Sequence, residues 1–201
     1  GGASLNEVID TFWYTANNQN LDSVVVGVNF NHFNANNSRN WVKKTLELSN
    51  NSISYTYSKY VFSSIIQNLK PMNSKHNSKN KVNKDVFWKT HLKDNKDKFY
   101  LNIIYPEYYF ESLKEIKKYC YENDIKLIFW IPPVHQDIHD IIYELGHLDK
   151  YKRFISDLSS LSDTYNFDND LILRNNKSKF RDAMHINTQG LNKIYNQIFK
   201  N

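Results

Sequence analysis

The sequence predicts an α/β fold in three layers, α/β/α, with a mostly parallel sheet between two sets of helices. Two observations carry that reading. Val24-Val25-Val26-Gly27-Val28-Asn29-Phe30 and Lys126-Leu127-Ile128-Phe129-Trp130-Ile131 are nearly continuous apolar runs, of the kind found in strands covered on both faces. Helical spacing alternates with them along the chain, which favours right-handed βαβ crossovers and a site at the carboxyl ends of the strands. The 201 residues fit a single domain with a sizeable core.

The elements follow in order. Leu5, Val8, Ile9, Phe12, Trp13 and Ala16 share one helical face, so residues 5–17 form an amphipathic helix. Ser4 and Glu7 have the spacing of a capping box at its start. The first strand comes next, then helices at 38–49 and 55–69. Residues 70–98 read as a solvated basic insertion, because Asn and Ser are interleaved with nine Lys and only three Asp. A helix starts near Pro106 and ends in Glu122-Asn123-Asp124, and the second strand follows until Pro132-Pro133 stops it. Helices at 135–145 and 149–163 are separated by Gly146, a residue suited to a left-handed cap. Tyr165-Asn166-Phe167-Asp168 is a short third strand, and a terminal helix follows Thr188-Gln189-Gly190.

Composition narrows the function. Hydrophobic residues make up 40% and aromatics 15%, with 5 Gly and 4 Pro, the balance of a folded chain. The net charge of +5 is smaller than the local excess of six lysines over aspartates at 70–98, so the basic character belongs to one insertion. That insertion lacks Arg and has only Phe87 and Trp88 to stack on bases, which argues against nucleic acid as a partner. Cys120 is the single cysteine and lies on the apolar side of a helix, where it packs as a small hydrophobe. No apolar run reaches eighteen residues, and Gly1-Gly2-Ala3 has neither the basic nor the apolar part of a signal peptide. The absence of an initiator Met suggests a processed product or a fragment.

Three clusters carry possible chemistry: Gly2-Ala3-Ser4, Gly27-Val28-Asn29 and Asp182-Ala183-Met184-His185. A carboxylate three residues before a histidine can bind Nδ1 and leave Nε2 as a general base. The bland alternative is a turn aspartate beside a surface histidine. His135 and His139 share a helical face next to Asp140, a metal-like pair that finds no third and fourth ligand at suitable spacing. Asp168 reads as a site residue or a turn aspartate.

The block Asp182-Ala183-Met184-His185-Ile186-Asn187-Thr188-Gln189-Gly190 resembles the final motif of the SGNH/GDSL hydrolase superfamily, where Asp and His complete a catalytic triad. Within it, the chain is similar to the cell-surface O-acyltransferase branch that includes alginate acetyltransferases and the D-alanyl transfer protein of teichoic acid synthesis. Gly27-Val28-Asn29 resembles the block whose Asn donates to the oxyanion, and Gly1-Gly2-Ala3-Ser4 the block whose Gly supplies a backbone N–H. Ile131-Pro132-Pro133-Val134-His135 and Tyr165-Asn166-Phe167-Asp168 resemble segments of the acyltransferase branch, which makes His135 a candidate for substrate binding.

The resemblance implies a flavodoxin-like sheet and a Ser-His-Asp esterase or O-acyltransferase acting on a surface glycan or cell-wall polymer, without a cofactor. It also implies an extracytoplasmic site, a membrane anchor outside this chain and a membrane-embedded acyl donor protein as partner. It departs at the nucleophile. No Gly-Asp-Ser or Gly-Ser-Ser turn precedes the Gly2 block, as though the first strand were lacking, and Ser4 is the serine nearest the expected place. The competing expectation is a non-catalytic module of the same fold that binds a glycan or a protein.

Overall fold

The structure, a computed structural model, describes residues 3–50 and 83–199. β2 (Lys126–Ile131) is the middle strand of a parallel sheet, with β1 (Ser23–Gly27) on one side and β3 (Asp163–Asn166) on the other. The register pairs Ser23 with Lys126 and Gly27 with Trp130 along one edge, and Ile128 with Asp163 and Ile131 with Asn166 along the other. The order β1-β2-β3 means that each connection crosses over through helices, the arrangement that parallel pairing demands.

α1 (Leu5–Asn18) starts at Ser4, whose Oγ accepts the Glu7 N–H at 3.2 Å, which is half of the expected capping box; the Ser4 backbone N–H donates to Arg39 O at 3.3 Å instead of to the Glu7 carboxylate. α2 spans Trp41–Asn50, α3 Lys84–Asn95 and α4 Glu107–Glu122. α5 (Gln136–Glu144) and α6 (Leu148–Leu161) are separated by Gly146, which takes φ +70°. A short helix, α7 (Leu171–Arg174), precedes a two-stranded antiparallel pair, β4 (Phe180–Asp182) and β5 (His185–Ile186), and α8 (Thr188–Phe199) follows it. Phe129, Ile131, Leu113, Ile116, Phe154 and Leu158 are among the fully enclosed side chains, so the core lies where β2 meets α4 and α6.

Three expectations need correction. The first apolar run is not a strand covered on both faces. β1 ends at Gly27, and Val25 is 38% exposed, because among the described residues β1 pairs only with β2 and forms the sheet edge. The third strand comes two residues earlier than its aromatics suggest, and Phe167–Asn169 is a 3-10 turn.

The basic stretch is not a loop beyond residue 83. Asn83 accepts the Asp85 N–H at 2.9 Å and caps α3, which buries Trp88 against the rest of the molecule. The Trp88 indole N–H donates to Asp137 Oδ2 at 2.7 Å, and its ring meets that of His135 edge-on. Residues 70–82 of the insertion and the helix expected at 55–69 lie outside the described residues.

Candidate functional site

The turn Asp182-Ala183-Met184-His185 joins β4 to β5 and folds around one buried carboxylate. Asp182 is 2% exposed, and its Oδ1 accepts both the Met184 backbone N–H at 3.0 Å and the His185 ring at 2.7 Å. A carboxylate only accepts, so Nδ1 of His185 carries the proton and Nε2 is left with a lone pair. Burial alone would raise the Asp182 pKa. The contacts to His185, the Met184 N–H and the nearby His91 outweigh it and hold the carboxyl at about 2.

Two anchors fix this turn. The backbone N–H of His135, just past β2, donates to Ala183 O at 2.9 Å, and Tyr100 Oη donates to Met184 Sδ at 3.5 Å. The following residues start α8. Asn187 O accepts the Leu191 N–H at 3.0 Å, while Asn187 Nδ2 donates to Ser178 O at 2.7 Å. Gly190 is required by close approach, since a Cβ there would stand 2.3 Å from Ile186 Cγ1. The Ile186–Gly190 block is thus a local device that seats the turn on a helix.

His185 opens onto a cavity of about 420 Å³ whose lining also includes Asn29, two residues past the end of β1. Sequence reasoning placed Asn29 and His185 together, and the structure brings them to one cavity. The Asn29 backbone N–H donates to Nδ1 of His32, another lining residue. Burial lowers the His32 pKa to about 4, so its ring is neutral at pH 7.

Sequence reasoning missed the rest of the wall. His91 and Asn95 come from α3, and Lys98 from the wide π-helical turn Lys96–Tyr100 that continues it. His91 Nδ1 is 3.8 Å from Asp182 Oδ1, so two imidazoles flank one carboxylate. Arg39 and Arg181 also line the cavity. The spacing Trp88, Leu92, Asn95 was the available signal for α3, and the surrounding Lys and Asn obscured it.

The other expected residues lie elsewhere. Ser4 is fully buried, donates its hydroxyl proton to Arg39 O at 2.5 Å and accepts the Glu7 N–H. It is a helix cap and does not line the cavity, so it is corrected as a nucleophile. Among the described residues, the lining contains no Ser, Thr or Cys. His135 is corrected as a substrate-binding residue. Its ring is buried between Trp88 and Phe180, its Nδ1 accepts the Asp137 N–H at 3.2 Å, and it lies away from the cavity lining. Gly2 lies outside the described residues.

His139 turns to Asp168 rather than pairing with His135. Its Nε2 lies 3.0 Å from Asp168 Oδ1, which also accepts the Val134 N–H, while Tyr151 donates to Asp168 Oδ2 at 2.7 Å. Asp168 is 3% exposed and ties the loop after β2 to the end of β3. Among the described residues, no three His, Cys, Asp or Glu side chains are grouped to hold a metal ion.

Comparison of the chain with protein-family models, curated proteins and solved structures finds no match in any of the three.

Proposed function

We infer that this chain cleaves or transfers an acyl ester of a surface glycan or cell-wall polymer, as an SGNH-type esterase or O-acyltransferase. The observation that carries the reading is the meeting of the Asp182–His185 pair and Asn29 at one polar cavity, from segments more than 150 residues apart in the chain. Nε2 of His185 takes the proton of an attacking hydroxyl, and Asp182 stabilises the imidazolium that results. The Asn29 amide donates to the oxygen that gains charge as the ester carbonyl becomes tetrahedral, an interaction worth about 3 kcal/mol in comparable sites. Collapse expels the alkoxide, which takes the proton back from His185. A second hydroxyl, of water or of a sugar, repeats the cycle and releases the acyl group.

The finer fold assignment belongs to the same reading. Three parallel strands with helical crossovers suit a flavodoxin-like α/β/α sheet, and the outer edge of β1, unpaired among the described residues, is where a further strand of such a sheet would pair. An apolar groove of about 450 Å³ between α1 and β1 runs along that edge. An extracytoplasmic location and a membrane-embedded acyl donor are what the resemblance to the cell-surface acyltransferase branch implies. Among the described residues, no helix is long and apolar enough to cross a membrane.

The test is turnover of an acetyl ester of a chromogenic phenol, with a fluorophosphonate label run in parallel. The reading expects turnover that His185→Ala lowers by at least about a hundredfold. A label that maps to one hydroxyl identifies the nucleophile. Equal rates for the native chain and His185→Ala would leave a binding module of the same fold, the reading favoured by a lining without a hydroxyl nucleophile among the described residues.

A further inference from the structure

His91 lines the same cavity as His185, yet the cycle above gives it no role. Its surroundings fix the position of its proton. Asn95, one turn further along α3, is buried, and its Nδ2 lies 2.6 Å from His91 O and 2.9 Å from His91 Nδ1. The amide cannot be turned over, because its oxygen would then face the His91 carbonyl oxygen, and two acceptors repel. Asn95 Nδ2 therefore donates to both atoms, and Nδ1 of His91 accepts with its lone pair. In the neutral ring the proton is then on Nε2.

Asp182 sets the opposite tautomer at His185, whose Nδ1 carries the proton and whose Nε2 is bare. The two rings lie 6.4 Å apart between centroids, and both turn Nδ1 toward the same carboxylate oxygen, at 2.7 Å for His185 and 3.8 Å for His91. The second distance is too long for a hydrogen bond, so Asp182 leaves Nδ1 of His91 to the Asn95 amide. Phe87 stacks on the His91 ring, 5.6 Å between centroids, and 29% of the His91 side chain is exposed. With Nδ1 turned to Asn95 and one face covered, the edge left to the cavity carries the Nε2–H.

A cavity with a bare nitrogen on one imidazole and an N–H on another suits acyl transfer, in which a hydroxyl loses a proton while a carbonyl oxygen gains charge. We propose that His91 is a catalytic hydrogen-bond donor: its Nε2–H binds the ester carbonyl oxygen as that oxygen gains negative charge, alongside the Asn29 amide. Nε2 of His185 takes the hydroxyl proton, and His91 keeps its own throughout. A neutral imidazole in this role stabilises the oxyanion without trading a proton with it. The role rests on the acyl-transfer reading of the cavity, and one arm of its test needs no turnover.

Nitrogen-15 NMR of the full chain, with the ring neutral, reads the His91 tautomer, and acetate serves as the probe of the oxyanion position. Expected are a proton on Nε2, loss of that preference in Asn95→Leu, and a shift of the Nε2–H resonance as acetate is added. A proton on Nδ1, or a resonance that acetate leaves in place, overturns the donor role whatever the chain does with esters. Kinetics with the acetyl ester of a chromogenic phenol form the second arm. His91→Phe keeps a ring against Phe87 and lacks the N–H, so it lowers kcat by at least about tenfold with KM little changed. His91→Gln, which restores an N–H, recovers part of the loss. Turnover abolished by His185→Ala but unchanged in His91→Phe overturns the donor role and leaves the esterase reading standing. No turnover in the native chain, with the acetate shift present, removes that reading and keeps an oxyanion-binding His91.

Discussion

The backbone N–H of His135 donates to the carbonyl oxygen of Ala183 over 2.9 Å, so the end of the central strand and the turn that holds the Asp182–His185 pair are joined directly. The bond explains how a histidine outside the cavity bears on the site. The side chain of His135 caps α5 and fills the space between Trp88 and Phe180, while its backbone holds the turn.

Replacing His135 with Ala therefore acts on stability. The loss of a cap and of two edge-on ring contacts predicts a drop of about 1 to 3 kcal/mol in urea unfolding. A rise in KM with no loss of stability would instead put the ring in contact with substrate.

Acid unfolding reports on Asp182. Its carboxyl titrates at about 2 in the folded chain against an ordinary value of 3.8, so the folded state favours the charged form. The stability this confers is fully present above about pH 4 and is lost as the pH falls toward 2. The gap corresponds to about 2 kcal/mol. Urea unfolding between pH 5 and 2 should show that loss in the native chain beyond whatever Asp182→Asn shows, and parallel curves for the two would contradict it.

Gly190 allows α8 to approach the turn. A methyl group there meets the end of the half-buried Ile186 side chain, which packs against both hydrophobic clusters, and the Lys179 carbonyl at 3.2 Å. Overpacking outweighs the gain in helix propensity, so Gly190→Ala is predicted to lose about 1 to 2 kcal/mol by thermal or urea unfolding.

Much of this site was legible because its signals are local. The Ser4 cap, the Gly146 break and the spacing of Asp182 and His185 each specify a turn or cap within a few residues, and the structure forms all three. What was hidden depends on contacts distant in sequence. The apolar run at β1 looks the same whether the strand is central or at an edge, because its neighbours decide its burial. α3 was obscured by lysines that remain in solvent while Trp88 reaches Asp137 and His135. Arg39, Lys98 and Arg181 have no shared spacing, so only folding brings them to one cavity.

Nitrogen-15 NMR of the His185 imidazole, recorded where the ring is neutral, tests the central claim most directly. Asp182 as acceptor predicts the proton on Nδ1, a bare Nε2, and loss of that tautomer preference in Asp182→Asn. A ring protonated on Nε2 in the native chain, or one whose spectrum is the same in Asp182→Asn, would contradict a base oriented by this carboxylate.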